Sequence, residues 1–311
     1  MIFLLLFCLS SSTLRVSNGF LCIRPLPMQR KCHQFVELHK SGKSLEATVS
    51  LTSFQPSING LGVLSGALST FGIIHYTSFQ AFATPIIGIF GSILRPTWSP
   101  SIYCGSFIGA AALTKSHSLQ TILFVSAIAI ILYEKFDQNQ LFIGYGGRLG
   151  FIAFAAGVLF QLQKYMTTII WPASISMHHW LTSFISILIG AISCQLMRSK
   201  LSFSAVLSSS FVGLISSLLR YFNYIPLDTS RMLWCGSFIA MSTPLLRVEE
   251  LLSSSAIASL FVCLFQAMQS SVEGQLGAAA LGGVLVTKIL TVQSTKISTK
   301  MNSAYKSFLR S

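Results

Sequence analysis

The sequence is poor in charge, and poorest in negative charge. Charged residues make up 9% of its 311 residues and hydrophobic residues make up 52%, whereas about a quarter of a typical soluble domain is charged. The mean hydropathy is +0.68. A water-soluble surface needs far more charge than this, so lipid must be the solvent for much of the chain.

The acidic residues are few and lie outside the middle of the long apolar runs. They are Glu37, Glu46, Glu134, Asp137, Asp228, Glu249, Glu250 and Glu273. This placement argues against a proton-coupled carrier that relies on Asp or Glu. The net charge of +13 comes from Lys and Arg in short loops and near both ends, which favours orientation in a membrane and contact with anionic lipid. No basic domain interleaved with aromatics is present, so we expect no nucleic-acid partner.

The sequence also lacks the usual motifs of metal and enzyme chemistry. Its seven cysteines form no CxxC pair and no Cys/His cluster with zinc spacing. It has no HExxH, no P-loop, no GxSxG and no pair of carboxylates within an apolar run. We therefore expect no catalytic residues, no metal and no cofactor, and the sequence predicts a protein that is not an enzyme.

The N-terminus has the composition of a targeting segment. Residues 2–9 are apolar but too few to span a bilayer, which is typical of the core of a signal peptide. Residues 21–45 are basic and carry one acid, as in a transit peptide. We predict a signal peptide over 1–19 and, over 20–57, a transit peptide or a disordered basic segment.

These two parts in series resemble the bipartite plastid presequence of algae with secondary plastids. In that family the signal peptide is cut just before an aromatic residue, usually Phe, and here Ser17-Asn18-Gly19 is followed by Phe20. The resemblance covers about the first 50 residues and implies a multi-pass protein of a plastid membrane. A plain secretory signal, with residence in another endomembrane or the plasma membrane, is the alternative.

Eight apolar runs follow the N-terminal segment. They lie at about 60–79, 81–95, 117–133, 144–163, 178–197, 202–219, 251–268 and 274–291. Several are near the lower limit of about 17 residues for a membrane span. Two shorter apolar pieces, 102–113 and 233–244, are too short to cross alone and are predicted to be re-entrant or half helices.

The two short pieces share a sequence and reveal an internal repeat. Tyr103 is followed by Cys-Gly-Ser-Phe-Ile, and Trp234 is followed by the same five residues 131 positions later. Downstream, Gly-Arg-Leu-Gly at 147–150 matches Gly-Gln-Leu-Gly at 274–277. We call residues 104–107 and 235–238 the CGSF segments. Order and spacing predict a tandem duplication, with repeats at 58–163 and 178–291, a linker at 164–177 and a basic tail at 292–311.

The predicted fold is therefore an all-α polytopic membrane protein with about eight transmembrane helices in two tandem four-helix repeats. If the CGSF segments dip in and return, one face collects most of the positive charge, which satisfies the positive-inside rule. That face holds Lys40, Lys43, Arg95, Lys115, Lys164, Arg220, Arg231, Arg247, Lys296, Lys300, Lys306 and Arg310. If the CGSF segments instead cross the membrane fully, these basic residues are expected to lie on both faces. Four spans per half make the repeats parallel, and five per half would make them inverted.

The repeated elements supply the candidate substrate-binding residues. Non-helical backbone and small polar residues at membrane depth often form the sites of transporters and channels. The candidates are Cys104, Gly105, Ser106, Cys235, Gly236, Ser237, Arg148 and Gln275. The alternative is that the small residues serve tight helix packing, and that Arg148 either reaches lipid headgroups or pairs with Asp137.

We therefore expect an integral membrane channel or transporter for a small solute or anion, with its site between the two CGSF segments. The alternative is a non-catalytic membrane scaffold or assembly factor for a larger complex. The expected partners are the lipid bilayer and the solute, and the sequence is compatible with a homo-oligomer.

Overall fold

The computed structural model describes residues 58–77, 79–110, 118–160, 177–267 and 274–308. Apart from turns, these residues are helical and contain no strand, which confirms the predicted all-α class for this part of the chain. The predicted signal peptide, the whole transit segment and residues 164–176 of the predicted linker lie outside the described residues.

Ten α-helices occur within the described ranges. They are α1 (Ile58–Tyr76), α2 (Ala83–Leu94), α3 (Ser99–Ala110), α4 (Leu119–Gln138), α5 (Arg148–Phe160), α6 (Met177–Lys200), α7 (Ala205–Tyr221), α8 (Leu227–Ile239), α9 (Val248–Ala267) and α10 (Gln275–Phe308). A 3₁₀ turn, Gln80–Phe82, leads into α2. Helix α10 continues through most of the predicted basic tail.

Five of these helices are long and apolar enough to cross a membrane, namely α1, α4, α6, α9 and α10. Helices α2, α5 and α7 coincide with predicted spans but are shorter. The CGSF segments lie inside α3 and α8, which have 12 and 13 residues. At 1.5 Å per residue such helices cover only about 20 Å of a hydrocarbon layer roughly 30 Å thick. Each half therefore holds five helices, where the sequence predicted four and a short piece.

The helices of the first half alternate in direction. Gly62 of α1 lies against Ser101 of α3 and Thr70 lies against Gly109, so α1 and α3 run parallel with α2 returning between them. Helix α4 ends where α1 begins, because Asn59 Nδ2 lies 3.4 Å from Asp137 Oδ2. We call this end of the bundle the Asp137 end.

The close contacts of the first half recur in the second. A Cβ at Gly105 would overlap the carbonyl oxygen of Val63, and a Cβ at Gly236 would overlap that of Ile187. Each glycine thus lets α3 or α8 lie directly on the backbone of α1 or α6.

The cysteine of each CGSF segment also makes the same bond in both halves. Cys104 Sγ donates to the carbonyl oxygen of Leu149 over 3.4 Å, and Cys235 Sγ donates to that of Leu276 over 3.3 Å. Both bonds tie the middle helix of a half to the first turn of its last helix, α5 or α10.

Burial along α4 and α9 follows the same correspondence, with an offset of 129 residues. Buried on α4 are Ile122, Ser126, Ala129 and Phe136, and buried at the matching positions of α9 are Leu251, Ser255, Ala258 and Phe265. The two helices therefore turn the same face to the interior of their halves.

Helices α2 and α7, from opposite halves, run antiparallel. Gly88 of α2 lies against Ser210, and Gly213 of α7 lies against Pro85. Further along, Ser217 Oγ donates to the carbonyl oxygen of Ala81 over 2.9 Å. We call this end of the pair, where the rings of Phe82 and Tyr221 also meet at 5.9 Å, the Tyr221 end.

Helices α5 and α10 also cross antiparallel, through their first turns. Gly150 packs on Gly277, and Gly147 and Gly274 each pack on the other helix beyond that crossing. Gly147 and Gly274 have φ angles of 82° and 87°, a left-handed conformation that favours glycine. Both pairs therefore join corresponding elements of the two halves in opposite directions.

We predict that Gly105→Ala lowers stability and that Gly72→Ala, in α1, does not. A Cβ at Gly105 meets fixed backbone, whereas a Cβ at Gly72 meets nothing within 4 Å. Overpacking of this kind costs about 1–3 kcal/mol, while alanine is the better helix former at an open site. Thermal unfolding of the two purified variants in one detergent measures the difference. Equal midpoints for Gly105→Ala and the parent would contradict the packing role.

Candidate functional site

The predicted CGSF site residues lie at helix contacts in the centre of the protein. Ser106 Oγ donates to the carbonyl oxygen of Tyr103 over 2.8 Å, and Ser237 Oγ donates to that of Trp234 over 2.7 Å. The glycines and cysteines of these segments face neighbouring helices, as described above. Their contacts are those expected from the packing interpretation, and these residues do not line the cavity described below.

Four aromatic rings fill the space between α3 and α8, and we call them the aromatic cluster. The cluster consists of Tyr103, Phe107, Trp234 and Phe238. Phe107 and Phe238 meet edge to face with centroids 5.4 Å apart, and Trp234 Nε1 donates to the Tyr103 hydroxyl over 3.0 Å. Each contact joins residues at matching positions of the two halves, so the cluster lies where the halves meet.

A polar seam on α7 borders the aromatic cluster. The Ser209 hydroxyl lies 3.2 Å from that of Tyr103 and 2.8 Å from that of Ser237. The neighbouring hydroxyls of Ser208 and Ser210 are buried and have no hydrogen-bond partner. A buried hydroxyl without a partner is costly, so this seam is polar at a place where packing alone would favour apolar residues.

A cavity of about 190 Å³ lies on the Asp137 side of the aromatic cluster. Three rings of the cluster form part of its lining. The start of α3, the turn before α5, the first turn of α5, the start of α7 and the segment after α8 supply the rest. The lining residues are Pro100, Tyr103, Phe107, Gly144, Tyr145, Gly147, Arg148, Leu149, Gly150, Ala205, Val206, Phe238, Met241 and Thr243. The lining is largely aromatic and apolar.

The turn before α5 is fastened to the other half. Thr243 N donates to the carbonyl oxygen of Gly144 over 2.7 Å, and Gly146 N donates to Ser242 Oγ over 2.9 Å. A side chain at Gly146 would overlap the carbonyl oxygens at the end of α8. The cavity wall is therefore shared between the two halves.

Arg148, at the start of α5, is the predicted site residue that lines the cavity. Its guanidinium donates to Asp137 Oδ1 over 2.7 Å and lies 5.6 Å from the centroid of the Tyr133 ring. Its side chain is 12% exposed, against 40% for Asp137, and its Nε is buried without a partner. The pairing with Asp137 matches one of the two alternatives given from the sequence. Gln275 holds the corresponding position at the start of α10, outside the cavity lining.

Arg198 is a residue whose role sequence reasoning missed. From the end of α6 it donates to the carbonyl oxygens of Ala240 and Ser242, the second over 2.7 Å, and to Thr243 Oγ1 over 3.3 Å. A cation at the C-terminus of α8 is favourable to that helix. This arginine fixes the segment that carries Met241 and Thr243 into the cavity wall.

The chain matches no protein-family model, no curated protein and no solved structure. Within the described ranges, no three His, Cys, Asp or Glu side chains come close enough to hold a metal ion. The candidate site therefore rests on the geometry of the cavity and the aromatic cluster.

We predict that Asp137→Asn destabilises the protein more than the double change Asp137→Asn/Arg148→Met. The single change leaves a mostly buried guanidinium without its carboxylate, which costs on the order of 1–3 kcal/mol. The double change also removes the charge. Thermal unfolding of both variants and of Arg148→Met in the same detergent measures the coupling. Equal losses from Asp137→Asn and the double variant would show that the ion pair contributes little.

Proposed function

We propose that this protein is an integral membrane channel or transporter and that a small solute or anion enters it through the cavity at the Asp137 end. The observation that carries the proposal is the cavity itself, because it reaches from that end to the aromatic cluster between the halves. Five helices long and apolar enough to cross a bilayer support the membrane setting. Cavities at the interface of two repeated units are a common location for transporter sites.

We further propose that the chain contains two five-helix units inserted in opposite orientations. Support comes from the matched contacts of Gly105 and Gly236, the matched bonds of Cys104 and Cys235, and the antiparallel pairs α2/α7 and α5/α10. Because five is odd, a second unit that follows the first begins on the opposite side of the membrane. This arrangement replaces the parallel four-span repeats expected from the sequence.

The distribution of basic residues supports ten alternating helices with both chain ends on one side. Among the described residues, the Asp137 end holds Arg95, Lys135, Arg148, Arg198, Lys200, Arg247 and Lys288, whereas the Tyr221 end holds Arg220 and Arg231. Contrary to the expectation from the sequence, full crossings by the CGSF segments leave most of the basic charge of the described residues at the Asp137 end. By the positive-inside rule the Asp137 end faces the cytosol or, in a plastid, the stroma. The plastid location itself rests on the presequence resemblance.

The lining of the cavity limits the charge of the solutes that can enter it. Most of the wall is aromatic or apolar, so a solute that enters must give up part of its hydration. Arg148 brings a positive charge, but Asp137 pairs with it. A small neutral solute or a monovalent anion fits this balance, and a multiply charged ion does not, because one paired cation cannot replace its hydration shell.

In proteoliposomes we predict solute flux that Ala205→Phe reduces at least about tenfold. Ala205 lines the cavity, so a phenyl ring at this position fills it. A rise of about 1.4 kcal/mol in the free-energy barrier to passage lowers the flux tenfold. Light scattering measures the shrinkage and swelling of the proteoliposomes. The solutes tested are potassium nitrate in the presence of valinomycin, urea and glycerol.

The matched control is Ile215→Phe, on the same helix but 45% exposed, which is expected to keep parental flux. Equal flux in the parent and Ala205→Phe would exclude the cavity as the pathway. No flux of any probe above that of empty liposomes would count against transport.

A scaffold or assembly factor is the second candidate, and the filled space between α3 and α8 favours it. The aromatic cluster and the glycine contacts of the two CGSF segments leave those segments closely packed, as suits a rigid support for partners. A partner that copurifies in fixed ratio, together with an absence of flux, would favour this function over transport.

A further inference from the structure

We infer that the protein has a second, closed access cavity at the Tyr221 end and that it opens the two cavities in turn to the same small solute or anion. This inference rests on the proposed transport function, and it adds the second cavity and the order of opening. It is carried by a difference between residues that hold matching positions in the two halves.

The two ends of the α2/α7 pair differ in one hydrogen bond. At the Tyr221 end, Ser217 Oγ donates across the pair to the carbonyl oxygen of Ala81 over 2.9 Å. At the Asp137 end the residue that matches Ser217 is Ser92, whose hydroxyl instead donates to Gly88 of its own helix over 2.8 Å and lies 2.8 Å from that of Ser99. The residue that matches Ala81 is Val206, which lines the open cavity.

The residues that would line the second cavity follow from the same correspondence. Gly88 packs on Ser210 and Gly213 packs on Pro85, so matching residues of α2 and α7 are 125 positions apart in the sequence. The two CGSF segments, in α3 and α8, are 131 positions apart. The Gly-x-Leu-Gly (GxLG) motifs at 147–150 and 274–277, where α5 and α10 begin, are 127 positions apart. The predicted lining includes, in the order of the residues that it matches, Arg231, Trp234, Gln275, Gln80, Ala81 and Phe107.

The energetic argument is that two halves with the same internal packing can exchange conformations at low cost. The glycine contacts that hold α1 to α3 and α6 to α8 lie within a half and need not change. The contacts that must change lie between halves, among them the Ser217–Ala81 bond, the contact of the Phe82 and Tyr221 rings and the aromatic cluster. A bistable interface between rigid units is a common basis for such transitions.

The test uses the full chain in lipid nanodiscs and needs no knowledge of the solute. Ser217 is 5% exposed, whereas Ser92, its match near the open cavity, is partly exposed. The thiol of Ser217→Cys is therefore expected to react with a maleimide only when the Tyr221 end opens. In the double variant Ala205→Cys/Ser217→Cys, a bulky maleimide first occupies the open cavity, and an isotope-labelled maleimide then reports on position 217 by peptide mass spectrometry. The control double variant is Lys200→Cys/Ser217→Cys, whose first thiol is exposed at the Asp137 end but is not part of the cavity lining.

We expect the thiol at position 217 to react faster than the buried native thiols of Cys194 and Cys235. We expect the adduct at position 205 to slow that reaction at least about tenfold, because holding one cavity open removes the state in which the other is open. The adduct at position 200 should leave the rate unchanged.

Two results would overturn the inference: no reaction at position 217 beyond that of the buried native thiols, or a reaction rate that the adduct at position 205 leaves unchanged. Flux that is blocked by Ala205→Phe would then still support a channel with one cavity. The proposed function has its own failure, which is flux no greater than that of empty liposomes.

Discussion

The architecture depends on direct backbone contact at a few glycines. In lipid there is no hydrophobic force that drives two apolar helices together, so close van der Waals packing must hold them. Gly105 and Gly236 let the middle helix of each half lie on the backbone of the first, and Gly150 and Gly277 let the two halves cross. At each of these four sites a Cβ would collide with backbone that cannot move aside. The positions of the aromatic cluster and of the cavity both follow from how closely these helices approach.

Much of this organisation could be predicted from hydropathy and from internal similarity. Each of the eight apolar runs contains a helix, and the repeated CGSF segments occupy matching places in their halves. The pairing of Arg148 with Asp137 was one of two stated alternatives. The helices could be predicted because long apolar runs are typical of helices that bury their side chains in lipid or protein.

The proposed opposite orientation of the halves was only the alternative given from the sequence, and the location of the cavity could not be predicted. Helices α3 and α8 are shorter than a standard span, so a length criterion excluded them and gave four spans per half. Their direction is visible only in contacts such as that of Gly62 with Ser101. The cavity is lined by residues from both halves, which no local pattern brings together. The Phe that is repeated in the two CGSF segments was the available signal for the aromatic cluster. The functional prediction was placed instead on the Cys, Gly and Ser residues beside it.

Under the proposed two-cavity arrangement, a difference in length between the halves accounts for the cavity at the Asp137 end. The distance from the CGSF segment to the GxLG motif is four residues longer in the first half than in the second, since the offsets fall from 131 to 127. Part of the extra length falls within the turn before α5, where Gly144 and Gly146 bond to Thr243 and Ser242. Those bonds hold the turn against the end of α8 and form a wall of the cavity. A strictly symmetric pair of halves would have no reason to favour one open end over the other, so under the proposed duplication this divergence in length would supply the bias.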